Sequence, residues 1–265
     1  MKKIKFPLTV IKIFMKNQMQ NKSYIFLDIF NMFSRCLLLF FIYAYIFDLK
    51  DGVISGVTYE TTLWSMFIYF ALMTLNIRKV FGLIMDDVKS GNVEMFINKP
   101  VNYVLLSVYK TIGQGLYSFL IIGFIGTILM IIFVGIPVLN LSIFIPSLII
   151  TIILGQILCA LIYSIVGILA FFMQDVRPVF WIVDKFVMIL GGSYLPIAMF
   201  PKFLKIIAYI SPFGAVNFAS STVYSSWNNE YLFRFLLQGI WIVIFSILLV
   251  LIFKKAKTKA MVNGG

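Results

Sequence analysis

The sequence predicts an all-α, polytopic membrane protein: six transmembrane helices, an amphipathic helix before the first, and a re-entrant hairpin before the last. Three observations carry this. Apolar residues make up 62% of the 265 and charged residues only 12%, against roughly 45–50% and about 25% in soluble domains. The mean hydropathy is +1.02. Long apolar runs alternate with short basic segments along the whole chain. A water-soluble globule of this size exposes too much surface to hide so many apolar side chains, whereas lipid accepts them.

In chain order, Ile4, Leu8, Ile11 and Met15 recur at helical spacing beside Phe14, with Lys5, Lys12 and Lys16 on the other side, so 4–20 reads as a helix lying on the membrane surface. The first span covers about 24–47, then a short polar loop with Asp48, Lys50, Asp51, Gly52 and Gly56, then a second span at about 61–77. Residues 78–110 form the longest polar stretch of the interior. Spans at about 111–134 and 142–173 flank the tight turn Gly135-Ile136-Pro137. Asp175, Arg177 and Pro178 interrupt the chain before a fifth span at about 179–197. In 198–231 Pro201 and Pro212, after Pro196, break the chain into short pieces, which fits a hairpin folded at the outer side. The last span, about 232–253, ends in Lys254, Lys255, Lys257 and Lys259.

The basic residues set the orientation. Six lysines precede the first span, Arg78, Lys79, Lys89, Lys99 and Lys110 follow the second, Arg177 follows the fourth, and four lysines follow the sixth. The positive-inside rule then places both termini on the cytoplasmic side of an inner membrane, and an even number of crossings agrees. The formal charge of +12 is directed at headgroups rather than at nucleic acid, since no basic helix or aromatic platform lies outside the spans. Cys36 and Cys159 fall within apolar spans and the chain has no His, so neither a disulfide framework nor a metal site is expected. The Lys-rich start runs into a full-length span with no small-residue cleavage site, so a cleavable signal peptide is not expected.

The chain has no GxxxxGK[ST], GxGxxG or HExxH motif, so any use of ATP belongs to a separate subunit and no catalytic role is expected of this one. The stretch 86–103 is more informative. Ser90 or Asn92 is placed to cap a short helix with Glu94 in its first turn and Pro100 at its end, putting Val93, Phe96 and Ile97 on one exposed apolar face.

Three passages resemble the permease subunits of exporter-type (type-2) bacterial ABC transporters: SGNVEMFINKPVNY at 90–103, GGSYLPIAMFP at 191–201 followed by Ile210-Ser211-Pro212-Phe213, and the terminal Val262-Asn263-Gly264-Gly265. Each motif alone is weak, but their order and spacing cover the whole chain. The resemblance implies one transmembrane domain over 1–265, an N-terminal elbow helix at 4–20, and a coupling region at 78–110 whose helix docks on an ABC ATPase through Val93, Glu94, Phe96, Ile97 and Lys99. It implies Pro196, Pro201 and Pro212 in an extracellular hairpin, ATP and Mg held by the partner ATPase and no cofactor bound by this chain. It also implies assembly with a second permease, identical or related, the heterodimer being favoured.

Four charges fall within spans. Asp28 and Arg35 are two helical turns apart on one face, and Asp184 and Lys185 lie about six residues into the fifth span. Charges at mid-membrane cost roughly 2.5–3.5 kcal/mol each on insertion scales, which makes them candidate intramembrane sites. Plainer alternatives stand beside this: Asp28 is near enough to the cytoplasmic end to reach water, and Lys185 is long enough to snorkel. The competing function is an ion-coupled secondary transporter or channel, which would call for mid-membrane acids and paired broken helices.

Overall fold

The computed structural model describes residues 2–49, 53, 54, 56–97, 102–137 and 139–263. Among them helix dominates. The exception is a two-residue antiparallel ribbon, β1 (Val53–Ile54) and β2 (Val57–Thr58), with Val53 opposite Thr58 and Gly56 at φ +79° in the turn. The sequence reading expects only a polar loop there.

The first helix, α1 (Lys2–Gln20), lies along α6 (Tyr103–Phe133). The approach is close enough that a Cβ at Gly113 would sit 2.6 Å from the Ile11 carbonyl oxygen and 2.8 Å from Phe14 Cβ, so only glycine admits this packing. Helix α2 (Lys22–Asp48) is largely exposed, Phe33, Leu38 and Phe41 included, the surface expected of a lipid-facing helix. Helix α3 (Tyr59–Met73) is the opposite: Thr62 to Leu72 are all buried. It starts in a capping box, Thr58 and Thr61 exchanging backbone and hydroxyl hydrogen bonds. At Thr74–Asn76 the helix breaks, with Asn76 left-handed at φ 53°, and the chain resumes through a 3₁₀ turn at Ile77–Lys79 into α4 (Val80–Lys89).

After α5 (Glu94–Ile97), Asn102 caps α6 by accepting from the Leu105 amide at 3.2 Å. The α6–α7 turn has Gly135 at φ +85°, and the Trp64 indole donates to its carbonyl at 2.8 Å. Helix α7 (Leu141–Ile168) fills the centre, packed by α4 on one side and α11 (Trp227–Asn263) on another. Its inner face is small or polar: the hydroxyls of Ser147 and Thr151 fold back onto carbonyls four residues earlier, which satisfies them without a partner helix.

Five stretches among the described residues are long and apolar enough to cross a membrane: 25–48, 59–89, 103–133, 141–171 and 227–258. The helix of the predicted third span begins at Tyr103 rather than 111 because Asn102 caps it early. The second span runs past 77 into α4, since the break at Asn76 turns the helix rather than ending it. The predicted fifth span over 179–197 differs most. Its helix, α8 (Arg177–Leu190), has 14 residues, about 21 Å at 1.5 Å per residue, short of a hydrocarbon core of ≈ 30 Å. Gly191 and Gly192 stop it, the latter at φ +82°, and the chain turns away. It continues in short pieces: a 3₁₀ turn at Ile197–Met199, α9 (Lys202–Ile210), α10 (Pro212–Ala215) and a 3₁₀ segment at Phe218–Val223. Pro201 and Pro212 open α9 and α10, where a missing N–H is harmless.

Side chains of α11 hold this hairpin. Gln238 donates to the carbonyls of Ala215 at 2.8 Å and Thr151 at 3.4 Å, and the Trp241 indole donates to Ile210 at 2.9 Å. The Arg234 guanidinium, paired with Glu230, lies 3.4 Å above the Tyr209 ring and 4.9 Å from that of Phe218.

Candidate functional site

The break after α3 places Arg78 beside α8. Its Nη1 donates to Asp184 Oδ1 at 3.5 Å, and the Tyr163 hydroxyl of α7 donates to the same oxygen at 2.8 Å. Asp184 is 3% exposed and Arg78 35%. Phe180 packs on both sides of this cluster, stacked on Phe81 at 4.4 Å and tilted against Tyr163 at 5.8 Å. Burying a carboxylate to this degree is costly unless partners such as these engage it. The result is a polar clasp joining the α3–α4 break, α7 and α8.

The clasp borders a groove of about 810 Å³ between α2, the α3–α4 break and α8. Three of the four predicted intramembrane charges converge here: Arg35, Asp184 and Lys185 all line it. Arg35 and Lys185 are exposed side chains that rest on rings, Arg35 5.8 Å from the Phe70 centroid and Lys185 5.7 Å from that of Trp181. Asp28 is half-buried, lines no part of the groove and forms no ion pair among the described residues. A second cavity, about 380 Å³ between α2, α3 and α6, is lined by apolar side chains and the half-buried Cys36, and offers no polar anchor.

Sequence reasoning missed Arg78 and Tyr163. Arg78 reads as one more cytoplasmic cation after the second span, and Tyr163 as one polar tip in an apolar run. The signal that bears on Arg78 is Asn76, a residue type that tolerates the left-handed backbone and marks a break. Trp64, which reads as an interfacial belt residue, is instead buried beneath the Gly135 turn.

The second candidate region is the turn from α4 to α6. Ser90 does not cap α5; its hydroxyl donates to the Asp86 carbonyl at 2.8 Å and closes α4. The turn is anchored by the Tyr103 hydroxyl on Asp87 at 2.8 Å and the Val93 amide on the Asp87 carbonyl at 3.2 Å. Val93 is therefore 2% exposed and part of the core, contrary to the exposed face expected of it, and Phe96 is half-buried 5.6 Å from the Tyr103 ring. Among the described side chains of α5, the exposed apolar one is Met95, at 59%. The side chains of Glu94 and Ile97, and Lys99 as a whole, lie outside the described residues. Lys89 reaches Asp175 at 3.9 Å, which brings the α7–α8 turn beside this one. Lys110 extends between the rings of Phe96, at 5.5 Å, and Phe14, at 6.0 Å, linking the turn to α1.

Of the hairpin prolines, Pro196 is buried, Pro212 half-buried and Pro201 exposed. No group of three or more metal-ligating side chains occurs among the described residues. No curated protein matches the chain. Residues 29–261 match the family model described as "ABC-2 family transporter protein".

Proposed function

The chain belongs to the ABC-2 transporter family, and from that premise we propose that it is the permease subunit of an ATP-driven exporter, working with separate ABC ATPase subunits and a second permease. The observation that carries this reading is a family match spanning 29–261 of a multi-pass helical chain that has no phosphate-binding loop of its own. Energy must then arrive through a protein contact. The α4–α6 turn suits that role: it is pinned to the core by Val93 and Asp87, exposes Met95, and touches both α1 through Lys110 and the α7–α8 turn through Lys89.

In this reading both termini and the α4–α6 turn are cytoplasmic, and α1 is the elbow. The short α8 enters the membrane from the cytoplasmic side, the α9–α10 hairpin completes this fifth crossing from the outer side, and α11 is the sixth. ATP closes the ATPases, their motion reaches the 86–97 turn, and α4 transmits it to the Arg78–Asp184–Tyr163 clasp. The groove between α2 and α8 then forms one wall of the path, facing the second permease. The clasp supports this over an ion-coupled carrier, because the buried acid Asp184 is already engaged within the chain by Arg78 and Tyr163.

The test is co-purification from native membranes followed by ATP hydrolysis. An ABC ATPase should accompany the permease and hydrolyse ATP faster in its presence than alone. Transport by the isolated chain, driven by an ion gradient without any ATPase, would establish the carrier reading instead.

A further inference from the structure

We infer that the α2–α8 groove binds an amphiphilic anion, its carboxylate or phosphate held by Arg35 and Lys185 and its apolar body laid against the groove's aromatic wall. The inference rests on the reading of this groove as part of the transport path and adds the class of molecule that path accepts.

Charge comes first. The groove is lined by four cations, Arg35, Arg78, Lys79 and Lys185, and by one acid, Asp184. Asp184 is engaged by Arg78 and Tyr163, which leaves the others in excess. Among the described residues, Arg35 and Lys185 have no carboxylate within ion-pair distance.

Depth comes second. Arg35 is ten residues into the apolar stretch that begins at Ile25, about 15 Å along a helix, and Lys185 is eight residues past the start of α8, about 12 Å. Cations at that depth need a counter-charge or water. The chain itself cannot supply the counter-charge from a second copy. Of its acids, only Asp184 lies well inside a predicted span, Asp28 being three residues past the start of its own at Ile25, and two copies facing one another across the grooves would add cations to cations.

Shape comes third. Around the two cations the walls are Leu38, Ile42, Phe70, Phe180 and Trp181, which leave room for an acyl or aromatic body but give a wholly polar ion little to replace its water. Trp181 is exposed in the groove and reports on it directly.

The experiment uses the full chain in maltoside micelles and bromine quenching of tryptophan, with the Trp181→Phe variant subtracted to isolate Trp181. Dibromostearate should quench Trp181 saturably at a concentration at least tenfold lower than its methyl ester. Arg35→Gln or Lys185→Gln should abolish most of that preference, and Lys185→Arg should keep it. Brominated phosphatidylglycerol, set against brominated phosphatidylcholine, assigns the source: a matching preference makes the anion a membrane lipid, and its absence makes it a free amphiphile. Equal quenching by acid and ester, or a preference that survives both glutamine variants, overturns the inference. Such a failure would leave co-purification with an ATPase untouched, so the two readings fail separately.

Discussion

Arg78 and Asp184, separated by 106 positions in sequence, meet at 3.5 Å where the left-handed Asn76 lets the chain turn from α3 into α4. The contact ties the helix next to the α4–α6 turn to the helix that lines the groove. Tyr163, donating to the same carboxylate oxygen, adds the central helix α7. Movement of α4 relative to α8 must therefore break or carry this clasp.

Removing one member should expose that dependence. Asp184→Ala leaves Arg78 and the Tyr163 hydroxyl without their acceptor. Breaking a fully buried pair destabilises by about 3–5 kcal/mol, and with Arg78 at 35% exposure solvent screens part of the loss, so about 1–3 kcal/mol is expected. Thermal unfolding of the purified chain should show a clear fall for Asp184→Ala and a smaller one for Tyr163→Phe. Equal stability of Asp184→Ala and the parent would mean the clasp contributes nothing.

Orientation comes from charge and is checked by chemistry. With Cys36 and Cys159 replaced by Ser, single cysteines at Asn92 and Asn228 occupy exposed positions on the turn and at the start of α11. A membrane-impermeant maleimide applied to intact cells should label the position-228 cysteine and leave the position-92 cysteine unmodified until the cells are broken. The reverse pattern would invert the topology.

The helical class, the periods of the apolar runs and the glycine turn at 135 were legible because each rests on local chemistry. What was not legible depends on distant partners. Lys185 stands out as a charge in an apolar run, but the partner of Asp184 lies in a different span and no spacing rule points to it. Val93 and Met95 are both apolar, so periodicity alone puts Val93 on the exposed face; the Val93 amide bonding to Asp87 reverses this by folding the turn inward. The shortness of α8 is likewise hidden, because the apolar run continues through Gly191 and Gly192 even though the helix does not.

The same reversal separates two substitutions in the turn. Met95→Glu places a charge on the exposed side chain and should weaken association with the ATPase more than tenfold, the effect of losing about 1.4 kcal/mol or more at a docking surface. The fold of the permease should be unaffected. Val93→Ala should do the opposite: it removes buried methyl groups, costing about 1–2 kcal/mol of stability, and alters association only as the turn loosens. Measuring melting temperature and ATPase co-purification for both variants decides it. If Met95→Glu retains full association, the docking surface lies elsewhere, and the adjoining Asp175 turn, linked through Lys89, is the place to look next.

The outer hairpin is held by polar side chains of α11 rather than by its own regularity, since α9 and α10 have nine and four residues and short helices are marginal alone. Gln238 is fully buried and bridges two carbonyls on different elements, Ala215 in the hairpin and Thr151 in α7. Replacing it by Leu keeps the bulk but removes the donor from both carbonyls in a site that water does not reach, a loss of about 1–3 kcal/mol. The cost falls on the hairpin, because the Thr151 carbonyl also belongs to the backbone ladder of a long helix, whereas Ala215 ends a four-residue one. Amide exchange over 202–223 should therefore accelerate by roughly tenfold or more in Gln238→Leu, with exchange in α2 and α3 unchanged. Trp241→Phe, which removes the bond to the Ile210 carbonyl at an exposed position, should give a smaller acceleration confined to α9. Uniform acceleration across the whole chain in Gln238→Leu would show that Gln238 supports the bundle generally and that the hairpin has no independent hinge on α11.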